Sequence, residues 1–256
     1  MSSAVSPGPA EVAPADADRA REHERIRAVY GYYDSSAGEQ RKRNEANRGV
    51  RRNADTRWAA LRGALSALAL PDGARLLDVG CGGGDELARI AREFADLGPV
   101  LHGVDLLPDR IARAREAVPH GMFQVAGADR LPYPDQYFDV VLASTVFSSI
   151  LDRGLARSVA SEMTRLLTRA GAIVCYDTRY PNPWNSHTAA VGARQWRRLF
   201  PGADIRLTPE TLLPPLARRL GLLTVTAYGP LRGVPFLRSH YVAEIRPAPP
   251  GGTSAG

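Results

Sequence analysis

The sequence predicts a doubly wound α/β fold, a mainly parallel sheet covered by helices on both faces, on three observations. Short apolar strands alternate with helical stretches from residue 74 onward. One strand runs straight into a glycine-rich turn and a helix at LLDVGCGGGDEL, Leu76 to Leu87. The chain has 256 residues, enough for one substantial core with decoration.

The elements follow in order. Residues 1–18 and 247–256 are rich in Ala, Pro, Gly and Ser and read as disordered tails. Residues 19–54 form a charged helical extension, interrupted at YGYYDSSAGE, where three tyrosines sit among small and polar residues. The main domain spans 55–246 and opens with an amphipathic helix, DTRWAALRGALSALAL (55–70), with Asp55 as its N-cap and Pro71, Asp72 and Gly73 as its stop. Strands are predicted at ARLLDV (74–79), VLHGVD (100–105), MFQVA (122–126), FDVVLAS (138–144) and AIVCYD (172–177). A helical segment over 187–221, with a short strand at ADIRL, leads to two further strands, LLTVTAY (222–228) and HYVAEIR (240–246). Too few residues separate that pair for a crossover helix, so they should be antiparallel to one another.

Composition narrows the function classes. The net charge is +6, but Lys42 is the only lysine and the arginines are scattered along the chain, which describes solvated faces better than a nucleic-acid surface. So few lysines leave almost no candidate for Schiff-base chemistry. Cys81 and Cys175 are the only cysteines, too few for a disulfide framework or a structural zinc site, so a reducing bacterial cytoplasm is expected. No apolar run is long enough to cross a bilayer. The expected partner is a small-molecule acceptor, with neither membrane nor nucleic acid; a homodimer is compatible with the sequence, and no metal is expected.

The glycine turn asks for a ligand that needs bare backbone and tolerates acid. A dinucleotide turn wants G-x-G-x-x-G with a pyrophosphate on the next helix N-terminus. Gly80 and Gly82 match, but the third position is Asp85, followed by Glu86, and two acids there repel phosphate. S-adenosylmethionine (SAM) suits the turn better, because it carries an adenosine with no phosphates and brings a sulfonium and an ammonium. Asp85 and Glu86 also stabilise a helix start, the preferred reading for Glu86. Asp105, with Leu106 beside it, ends the second strand where an acid about 20 residues past such a turn accepts ribose hydroxyls.

LLDVGCGGG, LHGVDLLP and GADRLPYPDQYFDVVLAS resemble, in that order and spacing, the successive motifs of class I SAM-dependent methyltransferases, especially the small-molecule type related to quinone methyltransferases. The resemblance covers residues 74 to 180 with specific motifs. It implies a Rossmann-like seven-stranded sheet in the order 3-2-1-4-5-7-6, the seventh strand antiparallel, with the N-terminal extension as a lid. It also implies S-adenosyl-L-homocysteine as product. By resemblance Asp78, Gly80, Gly82 and Gly84 form the cofactor turn and Asp105 holds the ribose. Ala128, Asp129 and Arg130 border the adenine, and Ser144 lies against the methionine portion.

The acceptor side is read more broadly. Methyl transfer from a sulfonium mainly needs orientation, though a hydroxyl acceptor benefits from a base. His240, at the start of an antiparallel last strand, and His187, after the fifth strand, reach the same rim, and Tyr176 and Asp177 end the fifth strand there. The catalytic candidates are therefore His240, His187, Tyr176 and Asp177. His23, His102 and His120 read as solvated or structural. YDTRYPNPWNSH can wall a pocket with Tyr180 and Trp184; Tyr241 and Phe147 join the acceptor-facing set. Tyr30 is placed at the acceptor and Tyr33 at the cofactor, where an aromatic face attracts a sulfonium. O-methylation of an aromatic or hydroxylated secondary metabolite is the first expectation, and C-methylation of an electron-rich ring such as an indole or quinone precursor the second. A nucleic-acid-modifying or regulatory SAM binder, supported by arginines over 41–52, and an NAD-dependent oxidoreductase are the disfavoured alternatives.

Overall fold

A computed structural model describes residues 14–37, 44, 46–182 and 185–247. Among the described residues two helices come first, α1 (Pro14–Ser35) and α2 (Arg48–Ser66). The alternating part follows as β1 (Arg75–Val79), α3 (Asp85–Glu93), β2 (Val100–Asp105), α4 (Pro108–Ala117), β3 (Met122–Val125), β4 (Phe138–Ser144), α5 (Arg153–Leu166) and β5 (Leu167–Thr178). The chain then continues through α6 (Ala193–Leu199), β6 (Asp204–Leu212), α7 (Pro214–Arg219), α8 (Thr224–Gly233) and β7 (Arg238–Arg246). The seven strands form one sheet in the order β3-β2-β1-β4-β5-β7-β6, with β7 antiparallel to both neighbours.

The central strands bury both faces, so they read as continuous apolar runs. Leu77, Val141 and Ile173 face one core layer with Met163 of α5 and Trp196 of α6. Leu76, Val140 and Val174 face the other with Leu61 of α2, Ile90 of α3 and Ile111 of α4. Each fully buried side chain of this size contributes about 1.5–3 kcal/mol relative to exposure.

Several boundaries differ from the sequence expectation. Helix α1 starts at Pro14, inside the expected tail, and continues without interruption through the tyrosine segment to Ser35. Helix α2 starts at Arg48, so the expected border between 54 and 55 falls inside it. Its N-cap is Asn47 rather than Asp55: the Asn47 side chain accepts from the backbone N–H groups of Gly49 and Val50, a bond that Asp55, seven residues into the helix, is not placed to make. Residues 222–228 are not a strand. Gly221–Leu223 makes a short 3-10 turn and Thr224 starts α8, because Thr224 and Tyr228, four apart, turn inward together at helical spacing. The strand beside β7 is instead β6, the ADIRL stretch extended to Leu212.

Candidate functional site

The turn joining β1 to α3 lies at the carboxyl ends of the central strands, where ligands of open α/β sheets bind. Gly80, Gly82 and Gly84 all adopt left-handed backbone, with φ of +73°, +54° and +83°, a region that strains other residues. At Gly84 the requirement is also spatial, since an added Cβ would sit 3.0 Å from Ala114 Cα of α4. Asp105 pins the turn: its Oδ2 accepts from Gly82 N at 3.0 Å and its Oδ1 from Leu107 N at 2.9 Å. The carboxylate thus links the ends of β1 and β2, and its remaining lone pairs are available to a ligand.

Beneath the turn lies Asp78, 2% exposed, whose Oδ1 has no hydrogen-bond partner. Burial pushes its carboxyl up to about 7, an effect that Asp105 reinforces and Arg57 opposes. A buried carboxylate oxygen left unpaired is costly, and a cationic or hydrogen-bond-donating ligand would satisfy it. Arg57 of α2 pairs with Glu86 at the start of α3, and Ser144 Oγ donates to the other Glu86 oxygen at 2.7 Å. Glu86 therefore ties α2 to the end of β4, beyond stabilising its own helix. Sequence reasoning missed Arg57 because the groups it acts on are 21 or more positions away.

A cavity of about 120 Å3 opens on the other side of the turn, lined by Gly80, Asp105, Leu106, Ala128, Ser144 and Tyr30 among others. Its rim holds Thr145, whose φ of +56° marks strained backbone directly after β4; its residue type gives no sequence signal of this. Helix α1 closes the cavity through three sets of polar contacts. Asp129 lies 2.9 Å from both Arg19 Nε and His23 Nε2; burial would raise its carboxyl, but His23 and Arg19 outweigh that and hold it low. Glu22 accepts from Leu151 N at 2.6 Å, and Arg25 donates to Ser149 O at 2.5 Å. Asp34 takes both Arg110 Nε and Nη2, at 2.8 and 2.9 Å. Arg19 and His23 are four apart on one helical face, a spacing that could have flagged them; instead His23 had read as solvated. Arg130 is exposed.

Tyr30 and Tyr33 pack edge to face at 5.6 Å. Tyr30 is hydrogen-bonded to Ser149 Oγ, and burial raises its phenol. The Tyr33 hydroxyl accepts from Asn185 Nδ2 at 3.0 Å, so α1 also touches the loop after β5.

At the rim of β5 and β7 the structure gathers a second polar group. Thr178 is opposite His240, and Asp177 opposite Tyr241. The His240 ring stacks on Tyr176 with centroids 4.6 Å apart, and its Nδ1 is 2.9 Å from Thr211 Oγ1 and 2.8 Å from Ser239 Oγ. The Tyr176 hydroxyl meets the same Thr211 Oγ1 at 2.8 Å, while the Arg57 guanidinium lies over the Tyr176 ring. Burial, aided by Arg57, pushes the His240 imidazole down to about 3, so it is neutral near pH 7. Thr211 has a φ of +52° and is 1% exposed, another strained position unmarked in sequence.

The remaining candidates scatter. Asp177 is fully buried and accepts from Ser148 N at 3.1 Å and Thr178 N at 2.7 Å; burial lifts its carboxyl to about 6. Phe147 packs into the core against Trp196 and Phe200. His187 is exposed. Arg179 lies over the rings of both Tyr180 and Tyr241. Trp184 lies outside the described residues.

Comparison with known proteins agrees with this layout. Residues 76–171 match the model of a methyltransferase domain. The chain is 27% identical over 161 residues to a ubiquinone/menaquinone biosynthesis C-methyltransferase of Geobacter sulfurreducens, covering 60% of this chain and 57% of that protein. It is 31% identical over 123 residues to a demethylmenaquinone methyltransferase of Listeria welshimeri, covering 46% of this chain and 50% of the relative. The chain thus spans about half the length of the curated relatives it matches. Among solved structures, geranyl diphosphate C-methyltransferase from Streptomyces coelicolor A3(2), in complex with S-adenosyl-L-homocysteine, superposes with a TM-score of 0.57 at 17% identity, covering 73% of this chain and 78% of that one. That similarity is one of fold. The sheet order and the glycine turn agree with the methyltransferase domain matched over residues 76–171, and together they support a class I methyltransferase with S-adenosylmethionine as its cofactor.

Proposed function

We propose that this protein methylates a small hydroxylated aromatic acceptor, at a ring carbon, using SAM. The observation that carries the cofactor half is the unpartnered Asp78 Oδ1 beneath a left-handed glycine turn pinned by Asp105. That turn suits a cationic nucleoside and repels phosphate. When bound, SAM supplies a methyl group on a sulfonium, transferred in line to the acceptor nucleophile. In this reading Asp78 balances the ligand's positive charge, Asp105 receives the ribose hydroxyls, and Leu106 and Ala128 flank the base. Asp129, paired here with Arg19 and His23, would be the acceptor for the adenine amine. The cavity of about 120 Å3 is smaller than the ~300–1,000 Å3 usual for ligand sites, so α1 would have to shift to admit the cofactor. The two buried free thiols, Cys81 and Cys175, suit a reducing cytoplasm.

Transfer to carbon is supported by the names of the relatives and by the state of His240. Its Nδ1 is engaged by Thr211 and Ser239, and its basicity is suppressed. A ring activated by its own hydroxyl relies less on a strong protein base than a neutral hydroxyl acceptor does. O-methylation is the second reading; it would need a base, and Asp177 at the end of β5 is the carboxyl lifted to about 6, though it is buried against Ser148 N and Thr178 N. Incubation with carbon-13-methyl SAM and a panel of hydroquinones and phenols separates them by NMR. An aryl methyl signal is expected; a methoxyl signal supports the second reading. No transfer to any aromatic acceptor, with S-adenosylhomocysteine still bound, overturns the acceptor class.

A further inference from the structure

We propose that the excursion between β6 and β7 is a docking surface for an anionic lipid bilayer. Residues 213–237 leave the sheet after Leu212 and return just before His240, at the rim where β5 ends. Leu216, Ala217, Leu220, Leu231 and Leu237 pack inward, but a stretch around the start of α8 turns apolar side chains out. Thr224 and Tyr228 turn inward, the Tyr228 hydroxyl donating to Asn53 Oδ1 at 2.6 Å, while Leu222, Leu223 and Val225 turn outward at 76%, 64% and 80% exposure. Phe236 adds a further apolar side chain at 69%. Among the described residues these are the four most exposed large hydrophobics. Leu222 and Leu223 of the 3-10 turn and Val225 of α8 thus form, with Phe236, an exposed apolar patch placed for an apolar partner.

Charge selects the partner. Residues 211–243 contain no Asp or Glu. Arg219 is exposed on the turn before Leu222, and Val225 shares an open groove with Arg48, Arg51 and Arg52 of α2. Asp55 is the only acid in that groove. A second copy docked face to face through this surface would bring arginine against arginine, whereas an anionic bilayer meets the cations with headgroups and the aliphatic side chains with acyl chains. No helix among the described residues is long and apolar enough to cross a membrane, so the contact is peripheral. It revises the sequence expectation of no membrane partner, which rested on the lack of a spanning segment. It goes beyond the assigned chemistry and holds whichever atom of the acceptor is methylated; it would present the acceptor-side rim to the lipid.

The test is flotation of the full chain with vesicles of phosphatidylglycerol and phosphatidylcholine in equal parts, against vesicles of phosphatidylcholine alone. Binding to the first and not the second is expected, weakened by salt. Leu222→Ser with Val225→Ser should lower vesicle affinity about tenfold or more, and Arg48→Gln with Arg219→Gln should lower it and reduce its salt dependence. All four positions are exposed, so melting temperature and S-adenosylhomocysteine affinity should be unchanged. Three results overturn the proposal: no binding to either vesicle, equal binding by the Leu222→Ser, Val225→Ser variant, or a wild-type dimer that this variant converts to monomer.

Discussion

The turn after β1 is held by backbone, and the rim at β5 and β7 is held by side chains. In the turn, three left-handed glycines and two main-chain N–H groups bound by Asp105 fix the shape within residues 78–107. At the rim, Tyr176, Thr211, His240 and Arg57 meet only because β7 folds back antiparallel and α2 crosses over them. A backbone-built site depends on residue types that a few positions alone can satisfy. A side-chain-built site depends on register and packing set far along the chain.

The contrast can be broken at either end. Gly84→Val should do most damage: left-handed strain of about 1–3 kcal/mol adds to a clash with α4, and S-adenosylhomocysteine affinity should fall at least ~100-fold, read by titration calorimetry alongside thermal unfolding. Asp105→Asn keeps one acceptor oxygen for the turn and removes the charge. Affinity should fall about tenfold with a smaller loss of melting temperature.

The Asp78 prediction concerns pH. Its folded value of about 7 lies above the ordinary aspartate value of 3.8, so its contribution to the stability of the free protein is full below pH 4 and lost as pH rises through 7. A cationic ligand prefers the carboxylate, so affinity should rise with pH up to about 7 and flatten above it, by up to about tenfold per unit. Asp78→Asn should flatten that profile, and calorimetry in buffers of different ionisation heat should detect the released proton. The smallest effect is expected at the rim. His240→Gln should change the transfer rate by less than about threefold, because a neutral, hydrogen-bonded imidazole acts by position. Its lowered value works in the opposite sense: the associated stability is present above the unfolded value of 6.5 and lost as pH falls towards 3. The variant should accordingly lose less stability than the native chain across that window, as acid unfolding followed by circular dichroism would show.

Legibility in the sequence follows the same division. β2 and β4 were readable to the residue, since a parallel strand buried on both faces is a mostly apolar run ended by a turn. The glycine turn was readable because its backbone excludes other residues. α8 was misread as a strand because LLTVTAY is β-branched and apolar, and its helical period is visible only once Thr224 and Tyr228 are known to be the inward pair. Asp55 was read as the N-cap, whereas the helix starts at Arg48 with Asn47 as its cap. The contacts of Arg57, Thr211 and Arg110 were invisible, each resting on partners brought close by the fold.

Calorimetric titration with S-adenosylhomocysteine and, separately, NADH reads out which ligand the glycine turn accepts. Micromolar binding of S-adenosylhomocysteine, abolished by Gly84→Val, with no heat from NADH, is the predicted result. Binding of NADH alone would contradict the account, because an acid-flanked turn with an unpartnered Asp78 would then be accepting the phosphates it is argued to repel.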